Sequence, residues 1–94
     1  MLNLTPQTLV QRQDADIAAT EFENALVLLH IENGEYYNFN ASGAELWRAL
    51  QQPKSVAELA QLLSIKYECT AEQCQADVLD WLQETATKGL VQVV

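Results

Sequence analysis

An α+β fold, a small antiparallel sheet followed by three helices, is predicted by three observations on this 94-residue chain. The first is Asn33-Gly34, set between an apolar run (Ala25 to Ile31) and a short aromatic one (Glu35 to Phe39). Asn-Gly tolerates the positive φ angles of a type I′ turn, so the stretch reads as a hairpin. The second is a hydroxyl residue followed three positions later by Glu or Gln, at Ser42/Glu45, Ser55/Glu58 and Thr70/Gln73. In that pattern the two side chains satisfy orphan N–H groups reciprocally at a helix start. The third is apolar residues spaced i, i+3, i+4 behind each of these starts.

Taken in order, Met1 to Leu9 contains Pro6 and little periodicity, and is expected to be a partly ordered lead-in. Val10-Gln11-Arg12 and Ile17 to Phe22 have extended character on either side of a turn or bulge at Asp14-Ala15-Asp16. Glu23-Asn24 turns the chain into Ala25 to Ile31, whose apolar residues occupy both faces, as in a central strand. A two-residue turn at Asn33-Gly34 pairs Ile31 with Tyr36, His30 with Tyr37, Leu29 with Asn38 and Leu28 with Phe39. One sheet face then carries Leu26, Leu28, Tyr37 and Phe39, and the other Val27, Leu29, Ile31 and Tyr36.

The first helix runs to about Leu50, buries Leu46, Trp47 and Leu50, and stops before Pro53. The second buries Val56, Leu59, Ala60, Leu63 and Tyr67. The third extends from Ala71 to about Lys88 with a stripe of Cys74, Val78, Trp81, Leu82 and Thr85, flanked by Leu79 and Ala86, and Gly89 ends it. Leu90 to Val93 forms a last extended segment. With no repeat or linker, residues 1–94 read as a single domain. An N-terminal three-stranded antiparallel sheet followed by three helices suggests a winged helix-turn-helix relative.

Composition removes several functions. A net charge of −8 with five Lys and Arg residues lacks the cationic footprint that nucleic acid or an anionic membrane requires. The third helix, which would enter the major groove in a DNA reader, carries Glu72, Asp77, Asp80 and Glu84 against Lys88 alone. Neither a signal peptide nor an apolar run of about 18 residues is present, which places the chain in the cytoplasm. Cys69 and Cys74 are too few and too close to frame a disulfide scaffold, which suits a reducing compartment, and they lack zinc-site spacing. His30, opposite Tyr37 near the hairpin end, reads as a half-buried, hydrogen-bonded residue rather than a base. No metal, cofactor or catalytic constellation is expected.

Gly34-Glu-Tyr-Tyr-Asn-Phe-Asn-Ala-Ser-Gly-Ala-Glu-Leu-Trp47 resembles the strand-to-helix signature of the PqqD-like proteins, the RiPP recognition elements. Ser55-Val-Ala-Glu-Leu59, Ala76-Asp-Val-Leu79 with Leu82, and Lys88-Gly-Leu-Val91 extend the likeness from about Val10 to the C-terminus. The resemblance implies a non-enzymatic module that binds the leader of a ribosomally made precursor peptide and presents it to modifying enzymes. It implies that the leader adds as a strand to Glu35–Phe39 and lies against the third helix. Carried over by position, the groove involves Glu35, Tyr36, Tyr37, Asn38 and Phe39 on the strand, and Val78, Trp81, Leu82 and Thr85 on the helix. The Tyr-Tyr signature on a separate chain is most similar to the lasso-peptide branch, whose partner is a leader peptidase. A PqqD proper serving a radical SAM enzyme is the nearest alternative.

The residues agree with strand addition on their own terms. An edge strand without Lys or Pro lacks the usual devices against pairing, and its main-chain groups can bind an extended peptide. Asp77, Asp80 and Glu84 are either a solvated face or complementary to a basic leader residue. The second sheet face, Val27, Leu29 and Ile31 with Tyr36, is an apolar strip suited to docking the partner enzyme if it is uncovered. Two exposed edges could also pair into a homodimer that competes with the leader. The rival class is a winged-helix transcription or protein-interaction module.

Overall fold

The computed structural model describes residues 3–23 and 25–94, so the expected turn at Glu23-Asn24 and the first two residues of the lead-in lie partly or wholly outside it. In chain order the elements are β1 (Leu9–Arg12), β2 (Ile17–Phe22), β3 (Ala25–His30), β4 (Glu35–Phe39), α1 (Ala41–Ala49), β5 (Lys54–Ser55), α2 (Val56–Lys66), α3 (Ala71–Thr87) and β6 (Val91–Val93). The α+β class and the order of a sheet followed by three helices stand. The single N-terminal meander does not account for every strand, because there are two three-stranded antiparallel sheets, ordered β2-β3-β4 and β5-β1-β6.

Val10-Gln11-Arg12 belongs to the second sheet. β1 is its central strand, pairing Val10 with Lys54 on one side and with Val93 on the other. The lead-in is tied to this sheet's edge, for Val56 and Ala57 at the start of α2 donate to the carbonyls of Thr8 and Pro6. These main-chain acceptors satisfy donors that a helix start leaves free.

The hairpin is built differently from the Asn-Gly expectation. His30 pairs with Glu35, Leu29 with Tyr36, Leu28 with Tyr37, Val27 with Asn38 and Leu26 with Phe39, a slip of two residues from the predicted register. The loop spans Ile31 to Gly34, with Gly34 donating to His30 (2.8 Å). Gly34 has φ +72°, whereas Asn33 is not among the described residues of positive φ, so the turn is not type I′. Because side chains alternate with period two, a slip of two leaves the face of every residue unchanged. Leu26 and Leu28 are accordingly buried, and Tyr37 and Phe39 pack beside them.

One core joins both sheets to the helices: Leu26 and Leu28, Leu46, Trp47 and Leu50, Val56, Leu59 and Leu63, Val78 and Leu82, and Val10, Leu90 and Val91. The helix starts divide three ways. Ser55 and Glu58 form the full reciprocal box. Thr70 caps α3 by accepting from Gln73 N, while the Gln73 amide turns to Asp77 instead of reaching back. At α1 the cap is Asn40, which accepts from Gly43 N; Ser42 lies inside the helix and donates to Asn40. Gly89, at φ +75°, provides the expected left-handed stop after α3.

Cys69 and Cys74, expected to be reduced, are joined by a disulfide with Cα atoms 6.3 Å apart. The bridge spans the Thr70 cap and ties the approach to α3 to its first turn. His30 faces Glu35 rather than Tyr37, and its buried Nδ1 has no partner among the described residues.

Candidate functional site

β4 is an edge. Among the described residues it pairs with β3 alone. Which of its main-chain groups are free follows from one bond on the other side of β3. Ile31 N donates to Asp16 O (2.8 Å), continuing the β2–β3 register, so odd-numbered residues of β3 exchange bonds with β2. In an antiparallel ladder bonded and non-bonded pairs alternate, and consecutive residues of a central strand bond opposite neighbours. The even-numbered Leu26 and Leu28 therefore bond β4 through Phe39 and Tyr37, and at the hairpin end, where His30 is opposite Glu35, Glu35 N donates to Asn33 Oδ1 (2.9 Å) and His30 O accepts from Gly34 N. Tyr36 and Asn38 are left presenting their N–H and C=O groups outward.

The side chains complete the arrangement. Tyr37 and Phe39 point toward the helices, and Tyr36 (67% exposed) and Asn38 point to the opposite sheet face. Phe39 meets Trp81 edge-on at 5.5 Å and tilts against Trp47 at 6.2 Å. Phe39 and Trp81 floor a cleft of about 480 Å³ between β4 and α3, lined by Tyr36 to Asn40, Gly43, Trp81, Glu84, Thr85 and Lys88. Thr85 lies at the cleft's wall but is buried, its hydroxyl donating to Trp81 O (2.8 Å). At the hairpin end the cleft is bridged: Lys88 Nζ lies 5.2 Å over the Tyr37 ring and pairs with Glu84 (2.9 Å), while Tyr37 donates to Glu35 (2.9 Å).

At the other end Trp81 is a partition. Beyond it opens a second cleft of about 590 Å³, lined by Asn40 to Ser42, Leu46, Leu63, Tyr67, Cys69 and Asp77. Trp81 Nε1 is buried without a partner among the described residues. A further depression of about 610 Å³ runs along α2 over Leu59, Leu62 and Ile65. Lys54 of the edge strand β5 also lines it, but that strand is two residues long and offers an extended chain only a minimal main-chain ladder.

The structure brings Glu35 to Phe39, Trp81 and Thr85 to one place and separates Val78 and Leu82 from them. Both are 0% exposed in the core beneath α3, and Thr85, at the cleft's wall, is itself 2% exposed, because the helix turns this stripe inward and leaves the flank at Trp81 as its main contact with the cleft. Sequence reasoning missed Asn40, Gly43 and Lys88 as lining residues, and it left Glu84 between a solvated face and a contact with a basic leader residue. Glu84 and Lys88 follow Trp81 at i+3 and i+7 and were legible as that flank. On the opposite sheet face, Val27 and Leu29 are half-buried and Ile31 is 58% exposed. Among the described residues, none of these three packs against the core that the helices cover. Among the described residues no cluster of His, Cys, Asp and Glu could hold a metal, and no helix is long and apolar enough to cross a membrane.

Residues 25–91 match the family described as coenzyme PQQ synthesis protein D, PqqD. Among solved structures, the chain is similar to TbiB1 in complex with the TbiA(beta) leader peptide, at 24% identity over 87% of this chain and 94% of that one, with a TM-score of 0.79. It is similar to a lasso peptide synthetase B1 complexed with the leader peptide (23% identity, 88% and 96% covered, TM-score 0.77). It also resembles the PqqD truncation of Methylobacterium extorquens PqqCD, a stand-alone RiPP recognition element (18% identity, 96% and 95% covered, TM-score 0.77). At these identities the likeness is one of fold. No curated protein matches the chain.

Proposed function

Because the chain belongs to the PqqD family, we propose that it is a non-catalytic recognition element, which binds the leader of a ribosomally synthesised precursor peptide and presents it to a maturation enzyme. The observation that carries this reading is the free edge of β4, with the outward main-chain groups of Tyr36 and Asn38 above a cleft floored by Phe39 and Trp81. The leader adds as a strand along residues 35–39, the ladder supplying affinity and the cleft selecting alternate side chains. Two of the similar structures hold a leader peptide, which supports the reading.

The test is titration of the isotope-labelled chain with a synthetic leader from a precursor encoded beside its gene. Amide resonances of Glu35 to Phe39 should shift, and a DNA mobility shift should be absent. Shifts confined to α2 and the second sheet would overturn strand addition.

The branch is proposed to be the lasso-peptide one, with a leader peptidase as the enzyme served in the cytoplasm; the Tyr36-Tyr37 signature favours it over a PqqD that serves a radical SAM enzyme. No cofactor is needed for this role. Val27, Leu29 and Ile31 are proposed to dock the enzyme, since their strip lies on the face away from the cleft. Ile31→Asp should weaken recruitment of the peptidase in a pull-down yet leave leader affinity by fluorescence polarisation unchanged. Pairing of two β4 edges without peptide would use the same main-chain groups as the leader and compete with it.

A further inference from the structure

β4 is not the sole open edge. β2 pairs with β3 alone among the described residues, and from Ala18 to Phe22 every residue is exposed on whichever face it occupies. The strand, Ile17-Ala-Ala-Thr-Glu-Phe22, has no Lys, Pro or Gly to discourage pairing. The bond from Ile31 to Asp16 sets its phase as well: Asp16, Ala18, Thr20 and Phe22 turn their main-chain groups to β3, and Ala19 and Glu21 turn theirs outward, as does the Ile17 carbonyl, while Ile17 N donates to Asp14 O (3.4 Å).

We propose that this edge is a self-association surface, where a second copy of the chain adds its β2 antiparallel to the first across a two-fold axis at Ala19. The strand is complementary to itself in that register. Ala19 faces Ala19, so the crowded axis holds the smallest side chains, and Ile17 faces Glu21, so no like charges meet. The Ala19 pair joins residues whose N–H and C=O groups both point outward, and in each flanking pair Glu21 N can donate to the outward carbonyl of Ile17. The register also preserves the faces, making a six-stranded sheet whose outer surface carries Ala18, Thr20, Phe22, Val27, Leu29 and Tyr36 without a formal charge. Phe22, 61% exposed in the single chain, lies in that surface.

The geometry gives this dimer a property that β4 pairing lacks. Both β4 edges end up at the far borders of the joined sheet, so two grooves stay open at once. Each copy carries a net charge of −8, and their mutual repulsion is screened by salt. The dimer therefore strengthens as ionic strength rises.

Sedimentation velocity on the full chain at low and high salt tests the proposal, with Ala19→Lys blocking the β2 edge and Asn38→Pro blocking the β4 edge. The expected result is a dimer favoured by salt, kept in Asn38→Pro, and weakened about tenfold or more in Ala19→Lys, where two ammonium groups meet across the axis. Amide exchange on the unmodified chain is the check that does not depend on a variant folding: protection at Ala19 and Glu21 should grow with protein concentration. A monomer at both salts, a dimer lost in Asn38→Pro and kept in Ala19→Lys, or exchange at Ala19 and Glu21 that ignores concentration each overturns it.

Discussion

The Lys88 ammonium stands 5.2 Å over the Tyr37 ring while Tyr37 donates its hydroxyl to Glu35 at 2.9 Å, so α3 and β4 are linked where the cleft closes. The Glu35 hydrogen bond holds the Tyr37 phenol above its ordinary pKa, with desolvation and the Glu35 charge acting in the same direction and Lys88 opposing them. The folded state thus binds this proton more tightly than the unfolded chain. Its contribution to stability is complete below the ordinary tyrosine value of about 10 and is lost as pH rises through the higher folded value. Tyrosinate absorbance should show Tyr37 ionising late, and Glu35→Ala should remove the lag. An unchanged titration in Glu35→Ala would refute the assignment.

Gly43 is where the cleft floor has no room to spare. A Cβ there would lie 3.1 Å from Phe39 Cβ and 3.2 Å from Trp81 Nε1. Phe39 Cβ is fixed by its strand, so the indole has to give way. Gly43→Val should cost about 1–3 kcal/mol in stability by overpacking. Its effect on leader binding should be larger, about tenfold or more in Kd, because the displaced Trp81 narrows the cleft. Fluorescence polarisation beside urea unfolding separates the two, and wild-type affinity in Gly43→Val would place the leader elsewhere.

The helix caps make a graded set. Ser55→Ala and Asn40→Ala should each cost about 1 kcal/mol in urea unfolding, whereas Ser42→Ala should stay within about 0.5 kcal/mol because Ser42 caps nothing. Glu58 adds a pH dependence. Its carboxyl accepts from Ser55 N (2.9 Å), and that bond, with the Ser55 hydroxyl, holds it below the ordinary value. Its contribution is present above the ordinary glutamate pKa of about 4.3 and fades as pH falls through the lower folded value. Equal losses in Ser42→Ala and Asn40→Ala would contradict the assignment of the cap.

That misreading shows what the sequence could carry. Ser42 and Glu45 match a capping box, but Asn40 accepts a helix N–H as well as serine does, and two acceptors two residues apart cannot be ranked by pattern. Glu45 was free to turn to Arg48 and Lys66 instead. The hairpin repeats the lesson. Alternation fixed which residues of β3 and β4 face the core, and it is blind to a slip of two, so the faces were legible and the partners were not. The sheet of β5, β1 and β6 was hidden for another reason. Its outer strands, Lys54–Ser55 and Val91–Val93, are too short to show a period, and they reach β1 only after the other sheet and one or more helices have intervened. At the groove, the stripe through Val78, Trp81, Leu82 and Thr85 identified the helix face. How far that face rotates toward β4 depends on packing between α2 and α3, which no single stripe encodes.

The phase of the β4 ladder gives the sharpest test of strand addition. Proline at position 38 removes an N–H that points away from β3, and it favours the extended backbone that Tyr37 already has. Proline at position 37 removes a donor that Leu28 receives inside the hairpin. Asn38→Pro should therefore leave the urea midpoint nearly unchanged and weaken the leader by about fivefold to tenfold, the scale of one lost hydrogen bond. Tyr37→Pro should unfold the hairpin. If the two exchange roles, with Asn38→Pro destabilising the domain and Tyr37→Pro folding normally, then the outward groups belong to Glu35, Tyr37 and Phe39 and the peptide is displaced by one residue along the edge.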